Sequence, residues 1–105
     1  MLVVWEPILA TDWRPPSGRT LGRIQDPRVR QFWDPEHLVA SALEEIAKRK
    51  PQPEPNCCVE KGFDWDEAIL YAPHTRWKHE PISAFWDGPV YRIISNLEKA
   101  FNEQR

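Results

Sequence analysis

Two cysteines and one methionine are all the sulfur in this chain of 105 residues. That is too little cysteine for the disulfide framework of a small secreted domain. No apolar run approaches the roughly 20 residues needed to cross a bilayer. Met1-Leu2-Val3-Val4-Trp5 meets Glu6 and Pro7 at once, so it has neither the basic start nor the length of a signal peptide; the expected location is the cytoplasm, without a membrane association. The sequence also lacks a Gly-rich phosphate loop and a serine nucleophile elbow. Positive charge is not in excess: the formal net charge of −2 predicts no general attraction to nucleic acid or to an anionic membrane.

With 41% hydrophobic and 29% charged residues, the composition is that of a soluble globular protein of one domain spanning residues 1–105. A chain of this size buries about two-thirds of its unfolded surface. Six tryptophans are available to build its core, and removing one that is buried typically costs about 3–5 kcal/mol.

The apolar pattern sets out an order of elements. Leu2–Leu9 reads as a buried strand. Residues 11–23 hold Pro15, Pro16, Gly18 and Gly22 and read as a loop. Asp26-Pro27 is a cap followed by proline, predicting a short helix through Trp33. Asp34-Pro35 then breaks and restarts the chain. A second helix carries Val39, Leu43 and Ile46 in one stripe with Leu38 and Ala42 beside it. Lys48, Arg49 and Lys50 suit its C-terminal dipole, and Pro51 ends it. A stiff loop over residues 51–62 leads to a strand at Trp65–Tyr71. Ile82–Trp86 and Val90–Ile94 flank Asp87-Gly88, a hairpin signature. Ser95 with Glu98 fits the capping box of a terminal helix. The fold class expected is α/β, with helices covering a mixed sheet.

Most polar clusters have an ordinary explanation. Three Trp-Asp pairs, at residues 33–34, 65–66 and 86–87, are too unevenly spaced for propeller blades. Arg14, Arg19, Arg23, Arg28 and Arg30 balance Asp12, Asp26 and Asp34 on a solvated stretch; read instead as a nucleic-acid surface, they predict affinity that falls steeply with salt. Asp64 and Asp66 share a face if they share a strand, but nothing else converges on them. His37, His74 and His79 with the cysteines do not give zinc-ligand spacing, so no metal site and no cofactor is expected. Catalytic residues are not expected either.

The candidate site is Cys57-Cys58, reached through Pro51-Gln52-Pro53-Glu54-Pro55-Asn56. Adjacent Cα atoms lie about 3.8 Å apart, below the usual disulfide minimum of about 4.4 Å. A bond between them would be readily reduced. Val59-Glu60-Lys61-Gly62 starts no helix that would depress a thiol pKa, and Glu60 would raise it. Reduced, partly buried cysteines are the first expectation, with a functional thiol pair or a soft-ion grip as the alternative.

Trp5-Glu6-Pro7, Thr11-Asp12-Trp13, Asp26, Arg28, Val29, Gln31, Trp33-Asp34 and His37-Leu38-Val39 resemble the middle of an uncharacterised bacterial thioredoxin-like family. Cys57-Cys58, Trp65-Asp66, Tyr71, Pro73, Trp77 and Gly88-Pro89-Val90 extend the likeness from about Val3 to Ile94. The resemblance implies a thioredoxin-like three-layer fold that here lacks the first strand and helix, with their Cys-Pro-x-Cys. No proline directly precedes Trp65–Tyr71, where thioredoxins place their cis-proline. What it implies is therefore a non-catalytic binding or remnant domain; the alternative is a thiol redox or soft-metal handling protein using Cys57 and Cys58. It also implies an uncovered edge on the Leu2–Leu9 strand, met by a second copy, by a protein partner, or by direct pairing with Trp65–Tyr71.

Overall fold

A computed structural model describes residues 1–9, 14–53, 57–58 and 62–104. The architecture is α/β, with two small sheets and three α-helices among these residues. Strand β1 (Leu2–Trp5) and strand β2 (Arg30–Trp33) run parallel, with Leu2 opposite Arg30 and Trp5 opposite Trp33. Strand β3 (Ala68–Leu70) and strand β4 (Phe85–Asp87) run antiparallel, Ile69 facing Trp86. The two pairs are separate sheets, so the mixed sheet expected from the sequence is divided, and β1 does not pair with β3.

Several elements differ from the sequence reading for local reasons. The first strand stops at Trp5, because Pro7 has no N–H to give a ladder. It is less buried than expected, with Leu2 68% and Leu9 58% exposed. Helix α1 (Gly18–Leu21) occupies part of the expected loop; the hydroxyl of Ser17 accepts from Thr20 N–H and starts it. Asp26 makes a turn instead of capping a helix. Its Oδ1 accepts from Arg28 N–H and its carbonyl from Val29 N–H, which sends residues 30–33 into β2.

Helix α2 (Leu38–Arg49) matches the sequence expectation closely. Pro35 keeps Asp34 out of the helix; the Asp34 carboxylate instead accepts from the N–H groups of Leu38 (3.0 Å) and Val39 (2.8 Å). Ala40, Leu43 and Ile46 face the core, whereas Leu38 is exposed. Beyond its end, Arg49 pairs with Glu80, Lys50 donates to His79 O, and the Gln52 side chain bonds Pro81 O and Ser83 N–H. These bonds tie α2 to the segment entering β4.

The hairpin expected at Asp87-Gly88 is absent. Gly88-Pro89 is a cis peptide, and Val90 opens helix α3 (Val90–Glu103). Val90, Ile93, Leu97 and Ala100 recur at helical spacing, with Ile93 buried, and α3 lies against β3 and β4. Ser95 therefore sits inside the helix, not at its cap. Trp86 is buried, while Trp5, Trp33 and Trp65 are half-buried and Trp77 is exposed. No described helix is long and apolar enough to cross a membrane.

Candidate functional site

Cys57 and Cys58 are joined to each other as a disulfide, with their Cα atoms 3.7 Å apart. This departs from the expectation of two reduced thiols. Successive side chains of an extended chain point to opposite sides, but Cys58 adopts a left-handed conformation (φ 65°). The alternation is broken and the sulfurs meet. For a residue other than glycine, that conformation costs roughly 1–2 kcal/mol. The carbonyl of Cys58 is held by a hydrogen bond from Trp65 N–H at 3.0 Å.

The two sulfurs are not equivalent. Cys58 is 4% exposed and Cys57 is half-buried, so Cys57 is the more accessible residue of the pair. Gly88 forms the inner wall. A Cβ there would lie 2.6 Å from Asp66 O, 3.1 Å from Cys58 Sγ and 3.2 Å from Glu67 Cγ. Only a residue without a side chain fits such a close approach. Val90 N–H donates to Asp66 O at 3.2 Å and keeps the start of α3 against this segment.

Glu67 completes the cluster. A carboxylate oxygen of Glu67 and both cysteine sulfurs lie within 4.8 Å of one another. Its Oε2 accepts from the indole N–H of Trp86 at 2.6 Å, which fixes the carboxylate beside the sulfurs. Sequence reasoning missed Glu67, which falls inside the strand expected at Trp65–Tyr71 and belongs to no pattern of ligand spacing. The signal was its place two residues before Ile69, on the sheet face that Ile69 shares with its partner Trp86. Glu60, weighed from the sequence as the acidic neighbour, lies outside the described residues.

A second polar constellation forms where β1 leaves its sheet. His37 Nδ1 lies 3.1 Å from Glu6 Oε2, and its ring stacks on Phe63 with centroids 3.6 Å apart. Burial raises the pKa of Glu6; the hydrogen bond and charge of His37 oppose the rise, and Asp34 adds to it. Trp5, Glu6, Arg14, Pro16 and Trp33 line a cleft of about 230 Å3 beside this pair.

The remaining sequence candidates do not converge. Asp64 is buried and Asp66 is exposed at φ 51°, and both precede β3, so they are not two carboxylates of one strand. His74 and His79 are exposed and far along the chain from His37, which is engaged with Glu6. Arg14, Arg19, Arg23, Arg28 and Arg30 are all exposed, and Arg28 pairs with Asp26 at 2.7 Å. Asp12 lies outside the described residues. Comparison with protein-family models, with curated proteins and with solved structures finds no match.

Proposed function

We propose that this chain is a thiol-based redox-responsive domain in which Cys57 and Cys58 alternate between disulfide and dithiol, carried on a thioredoxin-like α/β scaffold without a Cys-x-x-Cys centre. The observation that carries the reading is the asymmetry of the vicinal disulfide: Cys58 is buried against Gly88, whereas Cys57 is only half-buried. Covalent adjacency also favours exchange, because Cα atoms 3.7 Å apart lie below the usual span of a disulfide.

The step balances simply. A thiolate from solution attacks Cys57 Sγ, the bond between the two cysteines breaks, and its electron pair passes to Cys58, which takes a proton from water. A second external thiolate attacks the external sulfur of that mixed disulfide; its bond to Cys57 Sγ breaks, Cys57 takes a proton from water, and the two external thiols leave joined as a disulfide. Two electrons and two protons enter the protein. A Glu67 carboxylate oxygen within 4.8 Å of the Cys58 sulfur opposes the negative charge that develops there, which makes Cys58 a poor leaving group. Such a site suits a slow switch rather than a rapid oxidoreductase.

Thiol counting in a glutathione buffer tests this reading. The expected result is two thiols per chain under reducing ratios and none under oxidising ratios, reversibly. Two thiols that persist under oxidising glutathione, or a disulfide that reducing glutathione leaves intact, would sink it.

A binding role at the edge of β1 is a second reading, favoured by a different observation. Leu2 is 68% and Phe32 49% exposed on the β1–β2 pair, and among the described residues each of these two strands has one edge with no strand paired to it. The partner proposed is a second copy of this chain. Light scattering over a wide concentration range is expected to show a dimer, and a monomer throughout removes this reading.

A further inference from the structure

We infer that the reduced pair, together with Glu67, chelates a soft, thiophilic cation. This inference rests on the redox reading above, since only the dithiol offers two thiolates. The donor set is two sulfurs and one carboxylate oxygen gathered within 4.8 Å, the described cluster of three metal-binding side chains. Two thiolates select soft ions over magnesium or calcium, which prefer oxygen.

Adjacent thiols alone make a poor grip, because both come from one short piece of chain. Glu67 changes that. It arrives from the entry to β3, on the far side of a loop from Cys57 and Cys58, and closes the set from a second direction. Trp86 holds Oε2 at 2.6 Å, the kind of outer-sphere hydrogen bond that orients ligating carboxylates. Gly88 supplies the room: the position of its absent Cβ is within 3.2 Å of both Cys58 Sγ and Glu67 Cγ, so sulfur and carboxylate share one wall.

Charge points the same way. Opening the disulfide beside Glu67 gathers two thiols and a carboxylate in one place, and a divalent cation balances the charge of that set once the thiols give up their protons to it. Binding is therefore coupled to proton release: the dithiol and a divalent ion give the bis-thiolate complex and two protons. Thiolate–metal bonds of about 2.3 Å require the sulfurs to move apart from their bonded separation, and reduction frees them to do so. Three protein donors leave a coordination position for water or a small thiol. The disulfide form, without thiolates, does not bind. Redox state thus gates the ion.

Cadmium(II) is the probe. The full chain is reduced, freed of reductant without oxygen, and its thiols are counted before metal is added. A count below two at that stage means that the redox reading has failed, separately from this inference. With two thiols present, cadmium is expected to produce an ultraviolet thiolate-to-metal band that saturates at one ion per chain, releasing protons, with no band from the oxidised chain. Glu67→Gln keeps an oxygen to accept from Trp86 but is expected to weaken binding roughly tenfold or more. Glu67→Asp keeps the charge, withdraws the oxygen by one methylene, and is expected to weaken it too. Absence of the band, saturation at half an ion per chain through bridging of two chains, or unchanged affinity in both Glu67 variants overturns the proposal.

Discussion

The indole N–H of Trp86 donates to Oε2 of Glu67 across 2.6 Å, linking the middle of β4 to the residue that enters β3. Trp86 is 3% exposed, so this carboxylate contact lies against the core. Trp86→Phe keeps most of the ring and removes the donor. The expected loss is about 1–3 kcal/mol, the cost of leaving a partly buried acceptor without its donor. Urea unfolding measures it. In Glu67→Gln the same bond survives, so that variant is expected to lose much less.

Gly88 makes a separate prediction about the same wall. Its backbone has no need of a left-handed conformation, yet a Cβ would lie 2.6 Å from the carbonyl oxygen of Asp66. Backbone cannot swing aside as a flexible side chain can. Gly88→Ala is expected to destabilise by about 1–3 kcal/mol through overpacking. It should also slow closure of the disulfide, because Cys58 Sγ is the next atom displaced, at 3.1 Å. The midpoint of urea unfolding and the rate of thiol loss in oxidising glutathione are the measurements.

Asp34 is the hinge between β2 and α2. Its carboxylate accepts two N–H bonds from the first turn of α2, and its own N–H donates to Trp5 O at 2.7 Å. It is 7% exposed. Asp34→Ala removes both caps and is expected to cost about 2 kcal/mol. Asp34→Asn retains one acceptor oxygen and is expected to cost about half as much. Circular dichroism during thermal unfolding would rank the three proteins.

Helix α2 was legible in the sequence because its signals agree: Pro35 before it, an apolar stripe along it, Lys48 and Arg49 in its last turn, and Pro51 beyond. Around Asp26 and Gly88 local signals mislead. Asp26-Pro27 serves turns as well as helix caps, and pairing with β1 decides in favour of a strand. Val90-Tyr91-Arg92-Ile93-Ile94 alternates poorly but repeats well at three and four residues once Leu97 and Ala100 are included. The Asp-Gly dipeptide hid that longer period. Cys57 and Cys58 stood out by adjacency alone, whereas Glu67 becomes their neighbour only where the hydrogen bond from Trp65 N–H to Cys58 O brings the entry to β3 back against them. Spacing along the sequence carries no record of that approach. The same is true of Glu6 and His37, which meet across 31 positions.

That last pair gives a pH prediction. Burial raises the native pKa of Glu6 above its ordinary 4.5, more than the hydrogen bond and charge of His37 lower it. The native state therefore binds more protons than the unfolded chain between the ordinary value and the raised one. Glu6 contributes stability that is complete below pH 4.5 and is lost as pH rises through its native pKa. Asp26 acts with the opposite sign: Arg28 holds its pKa down at about 2, so its contribution is present above 3.8 and disappears as the solution is acidified toward 2. The two windows do not overlap. Glu6→Gln retains an oxygen for His37 but cannot ionise, so the difference in unfolding free energy between it and the natural chain isolates Glu6. That difference is expected to move in favour of the variant as pH rises from 4.5 and then to level off. A difference that is flat with pH, or that moves the other way, would show that contact with His37 outweighs burial at this carboxylate.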